Sequence, residues 1–265
     1  MRRRRRGEMK RLPVECASHI IGFTSAGDAC RSCAVSRLFK HAADSDIVWD
    51  RLLPPHYKHI ISQSPSSSSL FSMPKKDLYF HLCTHPIIIA NGHMSFALDR
   101  QSGKICYMVG ARGLSIAWAD TPTYWQWMTL PHSRFSEVAK LKLVWWLDIK
   151  ACIWTKNLSA GTTYAAYLVY QLSEVRSGLA RTPIVLRINY QQSAVVSVHR
   201  VILDPMPQRA RHRGDGWMEI EMGQFFIEQK GNDDAVDVVE CSVTEVDNLK
   251  SGLIVEGIEL RPVHM

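Results

Sequence analysis

The sequence predicts a multidomain α + β protein: a small three-helix module followed by an antiparallel β-sandwich of jelly-roll type. Three observations predict it. Apolar residues recur at helical spacing as far as residue 54, and alternate in short β-rich runs from residue 86 onward. Between these regimes lies Ser62-Gln-Ser-Pro-Ser-Ser-Ser-Ser69, polar and low in complexity, which reads as a linker or exposed loop. A chain of 265 residues is long enough for two such units.

The first eleven residues form a basic tail. Arg2 to Arg6, Lys10 and Arg11 stand against Glu8, so this stretch carries +6 of the formal net charge of +7. The body is therefore close to neutral and offers little footing for nucleic acid. The tail reads as a disordered start, with nuclear import or loose binding to anionic polymers as its functional alternatives. No apolar stretch follows the arginines, so no secretory leader is expected, and no run long enough to span a bilayer is present.

Residues 12–54 read as the helical module. Pro13 suits a first helical turn, and Val14, Ala17, Ile20 and Ile21 repeat on one face. Asp28 is expected to cap a second helix bearing Cys30, Ala34, Leu38 and His41. Asp46 is expected to cap a third, over 47–53, which Pro54-Pro55 stops. Three short helices make a marginal core, and such a module tends to be completed by a partner. Residues 55–75 read as the linker, and a short helix is expected over 75–83.

The sandwich is expected over 76–265. Leu114, Ile116 and Trp118 alternate with smaller residues, and Ala166, Leu168 and Tyr170 share a face. Ile188, Val195, Val201, Val239, Val243, Ile254 and Ile258 mark further strands, punctuated by turns such as Asn91-Gly92 and Gly214-Asp-Gly216. Many short strands without long helices between them argue for two packed antiparallel sheets.

Catalytic signatures are missing. No nucleophile elbow, phosphate-binding glycine loop or H-E-x-x-H occurs. His81 and His85 are spaced one helical turn apart, but no third ligand accompanies them. Cys30-Arg-Ser-Cys33 has no second such pair, and the odd total of seven cysteines suits free thiols in a reducing compartment. Glu219 and Glu221 share a strand face, as solvent-facing acids commonly do. The chain is therefore expected to be non-enzymatic and to need neither metal nor cofactor.

Aromatic residues carry more information. Trp118, Tyr124, Trp125 and Trp127 fall within ten positions around a turn-like Asp120-Thr-Pro122. Such rings either fill a sandwich core or stack on sugar faces. Trp145, Trp146, Trp154 and Trp217 are left as core or sheet-surface residues.

Two sets of motifs resemble a known plant family. Leu12-Pro-Val-Glu-Cys-Ala-Ser-His-Ile-Ile21, Gly27-Asp-Ala-Cys-Arg-Ser-Cys-Ala-Val-Ser36 and Ala42-Ala-Asp-Ser-Asp-Ile-Val-Trp49 resemble an F-box. Lys76-Asp-Leu-Tyr-Phe-His-Leu-Cys83, Gly110-Ala-Arg-Gly-Leu-Ser-Ile-Ala-Trp118, Thr121-Pro-Thr-Tyr-Trp125, Asp215-Gly-Trp-Met-Glu-Ile220 and Lys250-Ser-Gly-Leu-Ile-Val-Glu-Gly-Ile-Glu-Leu-Arg-Pro262 are similar to a phloem-protein-two, Nictaba-like lectin domain. The resemblance implies a substrate receptor of an SCF-type ubiquitin ligase, cytoplasmic or nuclear. Leu12, Pro13, Ile20, Ile21, Cys30, Val35 and Trp49 would dock on a Skp-type adaptor, and through it on a cullin. The β-domain would select a protein or glycoprotein target. It also implies sugar contacts, to glycans containing N-acetylglucosamine, from Trp118, Trp125 and Glu245. A further acidic position of the lectins falls at Val238, beside Asp237. A stand-alone lectin-like protein is the alternative.

Overall fold

Serine hydroxyls start three of the first helices. The computed structural model describes residues 12–190, 197–228 and 238–264; the basic tail, Val195 and Asp237 lie outside the described residues. After α1 (Val14–Ile21), Ser25 caps α2 (Ala26–Ser32) by accepting the Asp28 N–H at 3.1 Å. Asp28 is not the cap but the third helical residue, and its carboxylate accepts the Ser25 hydroxyl in return at 2.7 Å. Ser36 caps α3 (Arg37–Ala43) and Ser45 caps α4 (Asp46–Leu52). The predicted second helix is thus two, because Ser36 accepts the Phe39 N–H at 3.2 Å and starts a new one. Four helices, not three, occupy 12–54. Asp46, expected as a cap of its own helix, instead accepts the Lys75 N–H at 3.0 Å, at the start of α7 (Lys75–Thr84).

The predicted linker is also helical. It forms α5 (Tyr57–Ser62) and α6 (Ser67–Phe71), which bury Tyr57, Ile60, Ile61 and Leu70. The apolar residues fall at i, i+3 and i+4, and the serines close local hydrogen bonds. Ser62, Ser69 and Ser72 hydroxyls each donate to the carbonyl three residues earlier, at 2.7–2.8 Å. Low complexity here reflects local backbone satisfaction, not flexibility.

Trp49 ties these helices to the rest. It is fully buried, its indole N–H donates to Ala43 O at 2.7 Å, and its ring lies 5.3 Å from both Tyr79 and Phe80 of α7. Helix α7 packs in turn on the second strand of the β-domain, so one buried apolar cluster runs through both regions.

The strands are β1 (Ile87–Ile89), β2 (Met94–Leu98), β3 (Ile105–Gly110), β4 (Ser115–Ile116), β5 (Trp125–Met128), β6 (Val138–Leu141) and β7 (Leu147–Trp154). They continue as β8 (Thr162–Ser177), β9 (Ile184–Tyr190), β10 (Ser197–Val201), β11 (Ala210–His212), β12 (Met218–Ile227), β13 (Val238–Glu245) and β14 (Ser251–Pro262). One sheet has the order β1-β2-β3-β14-β8-β12-β11, with β6 also paired to β14 and β5 to β6; the other has β10-β9-β13-β7-β4. All pairings are antiparallel. The period-2 pattern places Leu168, Tyr170, Ile258 and Leu260 of the larger sheet in the same core as Ile149, Leu186 and Val243 of the smaller.

The outer face of the larger sheet has a second small core beneath the 129–137 loop, made by Met108, Phe135, Val138, Val169, Trp217 and Ile254. Phe135 can lie flat because Gly110 sits under it; a Cβ there would come within 2.7 Å of the ring. An ion cluster borders this core. Glu259 accepts from Arg213 at 2.6 Å and Arg134 at 3.0 Å, and Glu219 accepts from Arg213 at 3.1 Å and Arg261 at 2.8 Å. Buried Glu256 accepts the Arg134 N–H at 2.7 Å, pinning the loop.

Burial pushes the Glu259 carboxyl up, but Arg213, Arg134 and Arg261 more than offset this and hold it below the ordinary carboxylate range. Burial raises Glu256, which contributes in the opposite sense. The Glu259 contribution is present above its unfolded value of about 4.3 and is lost as pH falls through the folded value. Glu259→Gln is expected to cost on the order of 3 kcal/mol at pH 7. It should also flatten the loss of urea midpoint between pH 5 and 3; an unchanged acid slope would exclude Glu259 as its source.

Candidate functional site

Two surfaces hold the sequence-predicted site residues. On the helical region, α1 turns Ala17 and Ile21 inward, where the Ser18 hydroxyl also donates to Ala42 O at 3.0 Å. Alanines at 29, 42 and 43 let the helices approach closely. Ile20, one residue and about 100° from Ile21, points out and is 58% exposed. Leu12, Pro13 and Val14 are exposed, as are Phe23 at 71% and Val35 at 67%. The expected single apolar face is therefore two faces, one for the core and one left open. Among the residues expected to dock, Leu12, Pro13, Ile20 and Val35 lie on the surface and Cys30 is half-buried. Ile21 and Trp49 do not: both are buried in the chain's own core. Phe23, missed by sequence reading, carries the Arg51 guanidinium 3.4 Å above its ring.

The second surface is one edge of the sandwich. Sequence alternation extends a strand to Trp118, but β4 ends at Ile116. Trp118 lies in the following turn at φ +57°, a region bulky residues rarely enter, and is 51% exposed. Its ring lies 5.7 Å from that of exposed Tyr124. Turn hydrogen bonds hold this arrangement: Thr121 N–H donates to Trp118 O at 2.9 Å, and the Lys142 ammonium donates to Pro122 O at 2.9 Å. Asp120, Gln126 and Lys142 line a shallow cleft of about 440 Å³ beside it.

Trp125 lies with Trp127 in the lining of that cleft and not among the exposed rings. It is buried, and its indole N–H donates to Ala117 O at 3.0 Å, so it supports the turn from beneath. Trp127 does the same through Ala119 O at 3.1 Å, under the Arg112 guanidinium. Glu245 is not exposed either. Its carboxylate makes an ion pair with buried Lys250 and accepts the Asp247 N–H at 2.7 Å. Lys250 also donates from its ammonium to Glu245 O at 3.1 Å and to Trp145 O. Burial pushes its ammonium down to about 8. The pair thus ties the β13–β14 turn to the β6–β7 connection. Val238 opens β13 opposite Trp154.

That connection carries two exposed rings which sequence reading left unassigned, Trp145 and Trp146. Leu141, Val144 and Leu147 are buried at every third position, leaving the pairs between them outside. This period-3 pattern was the signal available. Backbone pairing of Ala117 with Asp148 puts Trp118 and Trp146 at the same end of the sandwich. Among the described residues no cluster of three or more ligating side chains is placed to hold a metal, and His81 and His85 stack on each other at 4.8 Å.

Exposed apolar residues on a helical module, ahead of a β-domain with an exposed aromatic edge, define a two-part architecture. An F-box-like model matches residues 9–54, and the Phloem protein 2 model matches 104–262. The putative F-box protein PP2-B12 of Arabidopsis thaliana is 41% identical over 95% of this chain and 96% of its own length. The F-box protein PP2-B10 of the same plant is 38% identical over 95% and 93%. This chain belongs to the family of plant F-box proteins that carry a phloem protein 2 domain. Neither matching model is that of an enzyme family. Among solved structures, a carbohydrate-binding module described for mannan recognition covers 60% of this chain and 89% of that chain, at 8% identity and TM-score 0.30.

Glu245→Ala would leave the Lys250 ammonium buried and unpaired. It is expected to cost about 3–5 kcal/mol of stability by urea denaturation, with much of that recovered in Glu245→Ala/Lys250→Met. A near-neutral single variant would remove the pair as the anchor of these two turns.

Proposed function

We propose that the chain is the substrate-recognition subunit of an SCF-type ubiquitin ligase, its helical module docking on a Skp-type adaptor and thereby a cullin, its β-domain binding the target. One observation carries this reading: Ile20 of α1, Phe23 in the turn after α1 and Val35 in the turn after α2 stand exposed on a module whose own core is already filled. Isolated apolar residues on a surface need no explanation, but several on one small module suit a partner that completes it. The family supports the same reading. The strand orders β3-β14-β8-β12 and β7-β13-β9-β10 support a jelly roll, with β4 to β6 and β11 as insertions. All seven cysteines are free, which suits a reducing cytoplasmic or nuclear compartment.

Co-purification with a Skp-type adaptor tests the docking. Wild type should capture it; Ile20→Glu/Val35→Glu should lose it while keeping the wild-type thermal midpoint, because both side chains are exposed. Failure of wild-type protein to capture the adaptor refutes the ligase reading.

A second reading, glycan binding with or without ligase docking, is favoured by Trp118. Its strained, exposed ring beside Tyr124 and the polar groups Asp120 and Gln126 suit stacking on a pyranose with hydrogen bonds to its hydroxyls. With Trp125 in the cleft lining but little exposed, and Glu245 buried, the outer stacking falls to Trp118 and Tyr124. Titration with N-acetylglucosamine oligomers should show Trp118→Ala weaker by on the order of 1 kcal/mol, the worth of one ring. No heat for either protein would leave the edge to protein targets.

A further inference from the structure

We propose that the cleft between the helical region and the sandwich is a binding site for a small organic anion with an apolar body. This inference needs neither adaptor docking nor the Trp118 edge, although Arg51 of the cleft stacks on Phe23 of the docking face. The cleft has a volume of about 900 Å³, at the upper end of the range of small-molecule sites. Leu53, Ile60, Ile89, Ile105 and Tyr107 line it and are all buried residues, so its inner surface is apolar.

Its charged groups have one sign. Arg51, Lys104 and Lys156 line the opening, with His56 and His59, and no lining residue is acidic. The nearest carboxylate of the adjoining turn, Asp99, is occupied by the Gln101 and Ser102 N–H groups and the Ser102 hydroxyl. Arg51 stacks on Phe23, an interaction that orients its charge without neutralising it. Three cations around an apolar concavity favour a ligand that pairs a carboxylate, sulfonate or phosphate with an aromatic or aliphatic body. A neutral apolar molecule would leave those charges unused, and a free inorganic anion would leave the apolar floor wet.

The wall is also held in an uncommon backbone state. Ala90 lines the cleft at φ +50°, and Asn91 follows at +54°. Non-glycine residues in this region tend to occur where a site is pre-shaped, and pre-shaping lowers the cost of binding.

The test titrates the full chain with 8-anilinonaphthalene-1-sulfonate and with N-phenyl-1-naphthylamine, the same ring system without the anion. Both should bind at one site. Lys104→Ser/Lys156→Ser should weaken the sulfonate about tenfold, a shift of about 1.4 kcal/mol, and leave the neutral probe unchanged. Ala160→Trp, at an exposed lining position, should remove both. Three results would overturn the site: sulfonate binding insensitive to Ala160→Trp, equal weakening of both probes by the lysine variant, or loss of binding on Trp118→Ala/Trp146→Ala alone.

Discussion

The burial of Trp49 against Tyr79 and Phe80 is the contact on which the arrangement of both surfaces depends. A module of four short helices has too little interior to be secure alone. It gains a larger one by inserting its biggest side chain between its own α3–α4 turn and α7, which lies against the sandwich. Small alanines fill the remaining helix contacts, so the apolar residues left over face outward. The open face that suits an adaptor follows from how the module is held. Helices α5 and α6 extend the helical region, and the cleft lined by Arg51, Lys104 and Lys156 lies where the end of α4 and α5 meet the loops of the sandwich.

The β-domain is organised on the same economy. Its two sheets share one apolar interior, and the outer side of the larger sheet carries a second layer held by Trp217, Phe135 and the carboxylates of Glu219, Glu256 and Glu259. Charges buried at such a place are stable only as a set, because each loses its hydration and must recover it from its neighbours. Glu245 and Lys250 repeat the device at the aromatic edge, where they fasten two turns and leave Trp118, Tyr124, Trp145 and Trp146 on the outside. The edge thus presents exposed rings on a base that the buried pair holds in place.

Much of the fold was legible in the residues themselves. Helical spacing before residue 54, alternation after 86, and the turn dipeptides sufficed for a helical region followed by antiparallel sheets, because these periods are local consequences of backbone geometry. The family motifs added the F-box and the phloem protein 2 domain. Other features were not local. Asp46 caps a helix that begins at Lys75, 29 residues away, and short helices form on either side of 63–66 because Tyr57 and Leu70 find a core. Neither contact is visible in spacing or composition.

The sequence by itself determined the succession of a helical region and antiparallel strands, and which aromatic residues could stand at the edge. Only the tertiary structure decided which of them face out. Trp118 and Trp125 are seven positions apart, yet one is strained into solvent and the other is locked to Ala117 O in the interior. Ile20 and Ile21 part company on a single helix in the same way. Glu245 was a candidate sugar ligand by position and is the partner of Lys250 by geometry. The physical reason is common to all three: exposure is a property of what packs above a residue, and that neighbour usually comes from a distant part of the chain.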